Sequence, residues 1–588
     1  DLHSFPTRRS SDLAMEIMQT MSVDRKQGEL IVSFVPLVYR EGRYQKLVSF
    51  QLKTHTQGRK ATKRISPTLT RSEGVKESVL ATGKWAKIRV PSSGVYQLTD
   101  DLIRRAGFSN INHVHVYGYG GAMQPEKLYA TYIAETDDLQ EVPQCIAGGR
   151  HLFWAQGPVS WNGADRIRNP YSQYGYYFLT ETDAEPLTES ENELAAHYVS
   201  SGELNNTLYE VDDFAWYHAG RNLYDARLFN VGQSRDYIIP SAGLSAQGKV
   251  TVVLTAMDKA TNSTATISVN GEQVGTMSIP KCTDYLHAAQ TKTSYTVANI
   301  AKTNTIRIQQ TGGGAMRLDY IAIHEDGTPS APSLQSVSIS TPELVGSVAN
   351  QNLHGDEAAD MIIIIPTSQK LQAQAERLKT FHEQHDGLRV NLVVADELYN
   401  EFSSGTPDAN AYRRYLRMLY DRAQTDADMP RYLLLFGDAA WDNRMLSSDW
   451  KTTKPEDFLL CFESENSFSA TDSYVCDEFF CMLDDGEGGN LLSSDRADVA
   501  VGRFPVRNEA QAKIMVDKVI SYAENRYAGS WQNEICVMGD DGNQNLHMQD
   551  ADAVAQQVEQ QLPGYVVMRI MWDAYERGTA TTGNSYPD

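Results

Sequence analysis

Cysteine, long apolar runs and an excess of basic residues are all missing from this sequence. Six cysteines in 588 residues are too few for a disulfide framework. The longest obvious apolar run, MIIIIP at 361–366, is far shorter than the roughly 20 residues of a membrane-spanning helix. Lysine and arginine (53) are outnumbered by aspartate and glutamate (75), which gives a net charge of −22. This charge argues against nucleic acid or an anionic membrane as the main partner.

The first thirteen residues, DLHSFPTRRSSDL, have neither apolar periodicity nor the central apolar run of a signal peptide. The codon string that would encode them resembles a short-read sequencing adapter. We therefore expect residues 1–13 to be non-native and the native chain to begin near Ala14 as a fragment. A signal peptide would then have been lost with the missing N-terminus.

From Ala14 to about residue 330 the hydrophobic pattern has mostly a period of two, which is typical of strands with one buried face. KLVSFQLKTHT at 46–56 is one such predicted strand, and DDLIRRAGF at 100–108 is a predicted helix. The Asn270-Gly271 pair predicts a tight hairpin, and short, regularly spaced strands around it predict a β-sandwich. A segment rich in Ser, Pro, Thr and Gly follows and reads as a linker. The predicted boundaries are a β-rich end of an N-terminal domain at 14–82, a mixed β-rich domain at 83–215, the sandwich at 216–330 and the linker at 331–358.

The pattern changes after Asp360. MIIIIP is a continuous apolar strand, which indicates a parallel strand buried on both faces. Helices and strands then alternate, including a helix from about Ala409 to Ala423, and this alternation predicts an α/β domain with a parallel sheet over 359–588. Ligands of such sheets bind at the carboxyl ends of the strands. Polar residues stand at these predicted ends, namely Asp396, Asp438, Arg503, Asp540 and Asp541.

Several motifs suggest ligand sites but do not complete one. DDGEGGN at 484–490 and DDGNQN at 540–545 lack the ligand spacing and closing glutamate of an EF-hand, so we interpret both as solvated turns. VYGYGG at 116–121 lacks the last glycine and the following helix of a dinucleotide-binding loop. We therefore predict neither a metal nor a cofactor.

A catalytic cysteine needs a histidine within hydrogen-bond distance. Two candidate pairs are Cys476 with His547 and Cys536 with His547. Cys536 lies in the apolar run ICVM and is expected to be a small buried residue. Cys476 and Cys481 are predicted to lie on one strand with opposite orientations, which disfavours a shared metal or a disulfide between them.

The α/β segment resembles the C25 family, the gingipain-type cysteine peptidases with a caspase-like core. The resemblance rests on ADMIIIIPTS, RYLLLFGDAAWD, TDSYVCDEFF, ADVAVGRFPV, CVMGDDGN and SYPD, which occur in the order seen in the family. The upstream segments GKWAKIRVPSSGVYQLTDDLIRRAG and VHVYGYGGAMQPE are similar to the N-terminal region of the sortases of the Bacteroidetes type IX secretion system. The implied fold class is multidomain: β-rich N-terminal domains including a β-sandwich, then an incomplete α/β caspase-like domain.

The resemblance also implies a function and one site residue. In this family the YPD stretch precedes the strands that end in the catalytic His and Cys, so both would lie beyond Asp588. The acidic residue that orients the histidine would correspond to Asp541, which could equally be an ordinary turn aspartate before Gly542. The intact protein would remove C-terminal secretion signals from cargo proteins through a cysteine thioester. It would then pass the acyl group to an amine of anionic lipopolysaccharide or to water.

The implied partners are cargo proteins, a lipopolysaccharide acceptor and other type IX secretion subunits, and the implied location is the extracellular face of the outer membrane. Two alternatives stay open. One is a secreted gingipain-like endopeptidase without acyl transfer. The other is a non-catalytic adhesin or carbohydrate-binding protein built on the sandwich.

The first prediction concerns activity. Because this 588-residue chain is expected to lack the nucleophile and the general base, it should not cleave a cargo C-terminal peptide. The assay is thiol-dependent cleavage, with iodoacetamide treatment as the control. Turnover that iodoacetamide abolishes would show that Cys476 or Cys536 is a nucleophile after all.

Overall fold

The computed structural model describes residues 17–40, 43–51, 74–283, 285–330, 332–335, 339–491, 493–579, 581 and 585–587. The predicted adapter translation, residues 1–13, lies outside this set. The chain divides into two units, Asp1–Ala512 and Lys513–Asp588, which are described separately. Among the described helices, none combines the length and apolarity that a bilayer-spanning segment requires.

Two β hairpins form the start of the described chain. The Arg25-Lys26 turn of the first hairpin has two left-handed residues, φ 47° and 65°, as a two-residue type I′ turn requires. The KLVSF stretch was predicted to be a strand, but residues 47–51 form none, because no described strand pairs with them. The strands are β1 (Ile17–Asp24), β2 (Gln27–Phe34), β3 (Leu37–Arg40) and β4 (Arg43–Lys46).

The mixed β-rich region contains a five-stranded sheet of order β22-β5-β13-β7-β8, a three-stranded sheet of order β6-β10-β9 and the hairpin β11-β12. The helix predicted after Leu98 is confirmed as α1. Its cap is Thr99, which accepts from the Leu102 N–H at 3.2 Å. The elements are β5 (Trp85–Val90), β6 (Gly94–Leu98), α1 (Asp100–Arg105), β7 (Val114–Tyr117), α2 (Ala130–Glu135), β8 (Glu141–Val142), β9 (Gln144–Ala147), β10 (Arg150–Ala155), β11 (Val159–Asn162), β12 (Asp165–Arg168), β13 (Gly175–Glu181), α3 (Glu191–Ser200) and β22 (Glu343–Val348).

The predicted β-sandwich is confirmed. Two four-stranded antiparallel sheets, β14-β21-β16-β19 and β15-β20-β17-β18, enclose a core of aliphatic side chains from alternate positions. Asn270 and Gly271 form the predicted tight turn, with φ 52° and 88°. The boundaries 216–330 remain a prediction. The strands are β14 (Asn206–Glu210), β15 (Ser234–Pro240), β16 (Gly248–Ala256), β17 (Ser263–Val269), β18 (Glu272–Ile279), β19 (Ala289–Val297), β20 (Thr303–Gly312) and β21 (Met316–Glu325).

A four-stranded parallel sheet of order β24-β23-β25-β26 follows. All five residues of β23 are buried, as its uninterrupted apolar sequence predicts. The elements are β23 (Met361–Ile365), α4 (Gln372–Phe381), β24 (Val390–Val394), α5 (Ala395–Phe402), α6 (Ala409–Arg422), β25 (Tyr432–Phe436), β26 (Ala500–Phe504) and α7 (Glu509–Ala523), the last of which contains the boundary between the two units.

The second unit contains its own parallel pair, β27-β28. The described parallel strands of 359–588 thus lie in one sheet of the first unit and one pair of the second. A single sheet over the whole range 359–588 remains a prediction. Periodicity identifies each strand but not its neighbour. The elements are β27 (Glu534–Gly539), α8 (Gly542–Gln561), β28 (Val566–Met571), β29 (Arg577–Thr579) and β30 (Ser585–Pro587).

Helix α6 joins the α/β sheet to the mixed β-rich region through buried arginines. Arg413 has no exposed surface. Its guanidinium donates to three main-chain carbonyls, those of Met482 at 2.5 Å, Glu126 at 2.6 Å and Glu487 at 2.7 Å. Burial lowers the pKa of Arg413 to about 9. Because no carboxylate is bonded to this cation, the oriented carbonyl dipoles carry its solvation.

The glycine-rich VYGYGG stretch has a packing role. A Cβ on Gly121 would lie 2.5 Å from the Gly175 Cα atom. The Tyr119 and Gly120 N–H groups donate to the Ser404 hydroxyl of the α/β region at 2.9 and 3.3 Å. The glycines therefore permit a close approach of backbones between two regions.

The second prediction tests the buried guanidinium. Arg413→Ala removes the guanidinium donor from three main-chain carbonyls, of which that of Glu487 keeps a second donor, the Leu128 N–H at 3.1 Å. The free energy of unfolding should therefore fall by roughly 3–5 kcal/mol. Arg104→Ala is the matched control, since Arg104 is exposed and pairs only with Asp101. It should change stability by less than about 0.5 kcal/mol. Urea unfolding followed by tryptophan fluorescence measures both, and equal losses would contradict the role of Arg413.

Candidate functional site

Asp541, the predicted site residue, lies directly after β27. Its carboxylate accepts from the Arg577 guanidinium at 2.6 Å, and it makes no cap hydrogen bond to α8. The neighbouring Asp540 accepts from the Gly542 N–H at 2.9 Å and lies 2.5 Å from the His547 Nδ1 atom. The structure thus places two carboxylates, an imidazole and a guanidinium at the end of one parallel strand. The catalytic role of Asp541 remains a prediction.

The start of α8, which brings His547 back to Asp540, has a strained, non-helical backbone. Asn543, Gln544 and Asn545 have φ values of 51°, 61° and 67°, the left-handed region that costs an ordinary residue about 1–2 kcal/mol. The amide of Asn543 lies 3.1 Å from the His547 Nε2 atom. The hydrogen bond from the Gly542 N–H, followed by the contact with His547, lowers the pKa of Asp540. Asp540 is therefore a carboxylate at neutral pH and favours a proton on the His547 Nδ1 atom.

The other predicted strand-end residues belong to the first unit and are ion-paired. Asp396 lies 2.8 Å from the Lys87 ammonium, and Asp438 lies 2.5 Å from the Arg507 guanidinium. Arg503 binds Asp477 through two hydrogen bonds of 2.8 and 2.7 Å. Each of these carboxylates is thus matched by a cation, which favours an orienting role over acid–base chemistry.

A cavity of about 420 Å³ lies at the carboxyl ends of β23 and β25. In the strand order, β23 is followed by β24 on one side and β25 by β26 on the other, and such a reversal creates a crevice in open α/β sheets. Thr367 and Asn443 line it from the sheet, and Lys87, Tyr174 and Tyr176 from the β-rich region. The sheet edge could be predicted from the sequence, but the tyrosines that line the cavity could not, because no local pattern pairs β5 and β13 with this edge.

The cysteines do not form a catalytic pair. Within the described residues no cysteine hydrogen-bonds a histidine. The Cys476 thiol lies 3.4 Å from the Glu478 carboxylate, and burial followed by the Glu478 charge raises its pKa to about 11. Two of the predictions are wrong: Cys536 is exposed, because it lies on the outward face of β27, and Cys481 ends a 3₁₀ helix rather than lying on a strand.

The DDGEGGN segment is not the solvated turn that was predicted. Glu487 is buried, and burial raises its pKa to about 7. Carboxylate oxygens of Asp484, Glu487 and Asp498 lie within 4.8 Å of one another. Two of these carboxylates accept hydrogen bonds from the main chain. The Leu483 N–H donates to Asp498 at 2.8 Å, and the Asp484 N–H donates to Glu487 at 3.0 Å.

Comparisons with known proteins agree with this architecture. Residues 354–588 match the profile of peptidase family C25. The crystal structure of dimeric latent PorU from Porphyromonas gingivalis matches with 29% sequence identity and a TM-score of 0.64, and the match covers 78% of this chain and 51% of that one. This chain thus spans about half the length of that structure. The β-rich N-terminal region and the caspase-like C-terminal domain are confirmed.

Carbohydrate-binding modules match over about a fifth of the chain. The C-terminal CBM6 of LamC from Zobellia galactanivorans has 12% identity and a TM-score of 0.15, and the match covers 21% of this chain and 100% of that one. A family 35 module from Clostridium thermocellum has 18% identity and a TM-score of 0.15, with 21% and 89% covered. No curated protein matches the chain.

The third prediction concerns thiol reactivity. A thiol of pKa about 11 holds about 300-fold less thiolate at neutral pH than a peptide thiol of pKa ~8.5, and its greater intrinsic nucleophilicity recovers only part of this. Cys476 should therefore react with iodoacetamide roughly 20-fold more slowly than a cysteine peptide. Time-resolved peptide mass spectrometry measures the rate. A Cys476 that reacts as fast as the peptide would be an activated nucleophile.

Proposed function

We propose, from the membership of residues 354–588 in peptidase family C25, that this chain is part of a sortase of the type IX secretion system. C25 is a family of cysteine peptidases. The observation that carries the proposal is the similarity to PorU, which extends over 78% of the chain and so includes β-rich domains as well as the peptidase region. A similarity limited to the peptidase core would support any member of the family.

The proposed reaction is an acyl transfer in two steps. A cysteine thiolate attacks the carbonyl carbon at the end of the mature cargo, the peptide bond to the secretion signal breaks, and the signal leaves as an amine that takes a proton from the catalytic imidazole. An amine of anionic lipopolysaccharide then attacks the thioester, loses its proton to the imidazole and releases the thiolate. Water in place of the amine gives hydrolysis.

Asp541 is the residue of this chain that we assign to the reaction. A carboxylate that accepts from the imidazole fixes its tautomer and stabilises the imidazolium formed in each step. The assignment is supported by the position of Asp541 after a parallel strand, where sites of α/β proteins assemble. Its carboxylate is not used to cap α8 and one oxygen carries the bond to Arg577, which leaves the other for an imidazole N–H.

The proposed partners follow from the same similarity. They are cargo proteins with C-terminal secretion signals, the lipopolysaccharide acceptor and other subunits of the secretion system, at the extracellular face of the outer membrane. The alternative of a secreted endopeptidase differs in the second step. In the complete enzyme, incorporation of an added amine into the cleaved cargo supports the sortase, whereas hydrolysis alone at saturating amine supports the endopeptidase.

The fourth prediction tests Asp541 in the complete enzyme. Asp541→Asn keeps the shape of the side chain but removes the charge that favours imidazolium. In serine-protease triads this change costs about four orders of magnitude, and a thiol, which ionises more readily, needs less help. We expect a loss of roughly 10- to 1,000-fold in cargo processing, with the thermal midpoint unchanged.

Arg577→Gln is the matched control, since it removes the same ion pair from the other side. If Asp541 serves only to bind Arg577, both variants should lose the same activity. If Asp541 orients the imidazole, Asp541→Asn should lose much more. Unchanged processing by Asp541→Asn would reduce this residue to a turn aspartate.

A further inference from the structure

The clearest titratable pair outside the proposed site is His354 with Glu401, and both side chains have no exposed surface. His354 lies in a 3₁₀ turn before β23, and Glu401 lies on α5. The Nδ1 atom of His354 lies 2.5 Å from a Glu401 carboxylate oxygen. Its Nε2 atom lies 2.8 Å from the main-chain carbonyl oxygen of Asp137, in the mixed β-rich region.

This geometry determines the protonation of the imidazole. A neutral imidazole carries one N–H and one lone pair, but both partners of His354 are acceptors. Both contacts are therefore hydrogen bonds only when the pair holds one proton more than a neutral imidazole and a carboxylate; without it, one ring nitrogen faces an acceptor with its lone pair. The oxygen of Glu401 that faces the imidazole also accepts from the His354 main-chain N–H at 3.0 Å, and its second oxygen accepts from the Leu353 N–H at 2.8 Å and the Gln351 amide at 2.9 Å. With the extra proton, both contacts of the buried imidazole are hydrogen bonds.

The charged groups around the pair are mostly acidic. Burial opposes the imidazolium, but the hydrogen bond and charge of Glu401, followed by the charge of Asp138, raise the pKa of His354 above its ordinary value. Arg422 is the neighbouring cation and donates to the His354 carbonyl at 2.7 Å. The other facing ionisable groups are Asp137 and Asp138 from the β-rich region, Asp356 beside the pair, Glu397 on α5 and Tyr415 on α6.

The pair also connects two regions that are far apart in sequence. Besides the bond to Asp137, Arg422 donates to the Val75 carbonyl at 2.6 Å, and the Ser78 N–H donates to the Asn352 side chain at 2.9 Å. The segments 75–81 and 137–139 therefore contact the α/β region and the segment before it around the buried His354–Glu401 pair.

We propose that the His354–Glu401 pair is a proton-dependent clasp, which holds the segments 75–81 and 137–139 against the α/β region and loosens as the pH rises. Loss of the proton turns a lone pair of the imidazole toward either Glu401 or the Asp137 carbonyl oxygen, and that hydrogen bond becomes a contact between two acceptors. The inference is independent of the proposed peptidase function. The proposed change is a local opening of this interface, and the β-rich and α/β regions need not separate.

The direction of the pH dependence follows from linkage. A group whose pKa is raised in the closed state stabilises that state fully below its ordinary pKa, about 6.5 for histidine. The stabilisation is lost as the pH rises through the raised value. Opening in this window releases up to one proton, so the opening constant should rise with pH, by at most about tenfold per pH unit. Asp138, Asp356 and Glu397 take up protons on acidification and act at the other end of the range.

Hydrogen exchange of the 588-residue chain between pH 6.5 and 8 tests the clasp. The Leu353 and His354 N–H groups donate to Glu401, and the Ser78 N–H donates to the Asn352 side chain at 2.9 Å, so peptides covering 351–357 and 75–81 report both sides. After division by the exchange rate of the unfolded peptide at each pH, both should show an opening constant that rises with pH, by at most about tenfold per pH unit. Peptides from β25 should not.

In the His354→Asn variant, the amides of 351–357 and 75–81 should exchange faster at pH 6.5. Their opening constants should not rise with pH, because the titrating group is gone. His382→Asn is the matched control: His382 pairs with Asp386 at 2.6 Å on the surface of the same region, and the pH slope should stay. A wild-type slope equal to that of β25 would overturn the proposal, and this measurement needs no variant. A pH-dependent opening constant at 351–357 but not at 75–81 would overturn the clasp, because the pair would then titrate without holding the segment 75–81.

Discussion

The solvation of a buried guanidinium is the constraint on which the rest of the first unit depends. Arg413 lies on a helix whose residues are buried on nearly all sides, and a charge at such a position is tolerated only where the backbone supplies acceptors. Those acceptors come from the loop before α2 and from the segment after Cys481. Neighbouring Arg414 and Arg417 repeat the pattern, donating to the carbonyls of Thr136 and Leu128. The β-rich region is therefore part of the environment that α6 needs.

Much of this fold could be predicted because its signals are local. The buried strand Met361–Ile365, the capped helix after Thr99 and the Asn270-Gly271 turn each depend on a few adjacent residues. The pairing of the parallel strands could not be predicted, since it depends on contacts that periodicity does not encode. KLVSF failed as a strand for a related reason: a strand-like sequence needs a partner to form a ladder.

The residues of the candidate site could also be predicted only in part. Asp541 was found from the family resemblance, and the sheet edge from the rule that strand ends collect ligands. Lys87 and the tyrosines that line the cavity were missed, because they lie on or beside β5 and β13, far earlier in the sequence than the sheet edge. His354 and Glu401 carry no sequence signal either, since a single histidine and a single glutamate become a pair only when the fold buries them together.

Contacts of arginine side chains connect the three regions of the first unit in pairs. The Arg413 guanidinium donates to the Glu126 main-chain carbonyl between the α/β region and the β-rich region. Arg221 pairs with the Glu126 carboxylate between the sandwich and the β-rich region, and Arg444 of the α/β region pairs at 2.7 Å with Asp212, which follows β14 of the sandwich. These contacts close a ring, so the separation of any one region from the other two would break two of the three contacts at once.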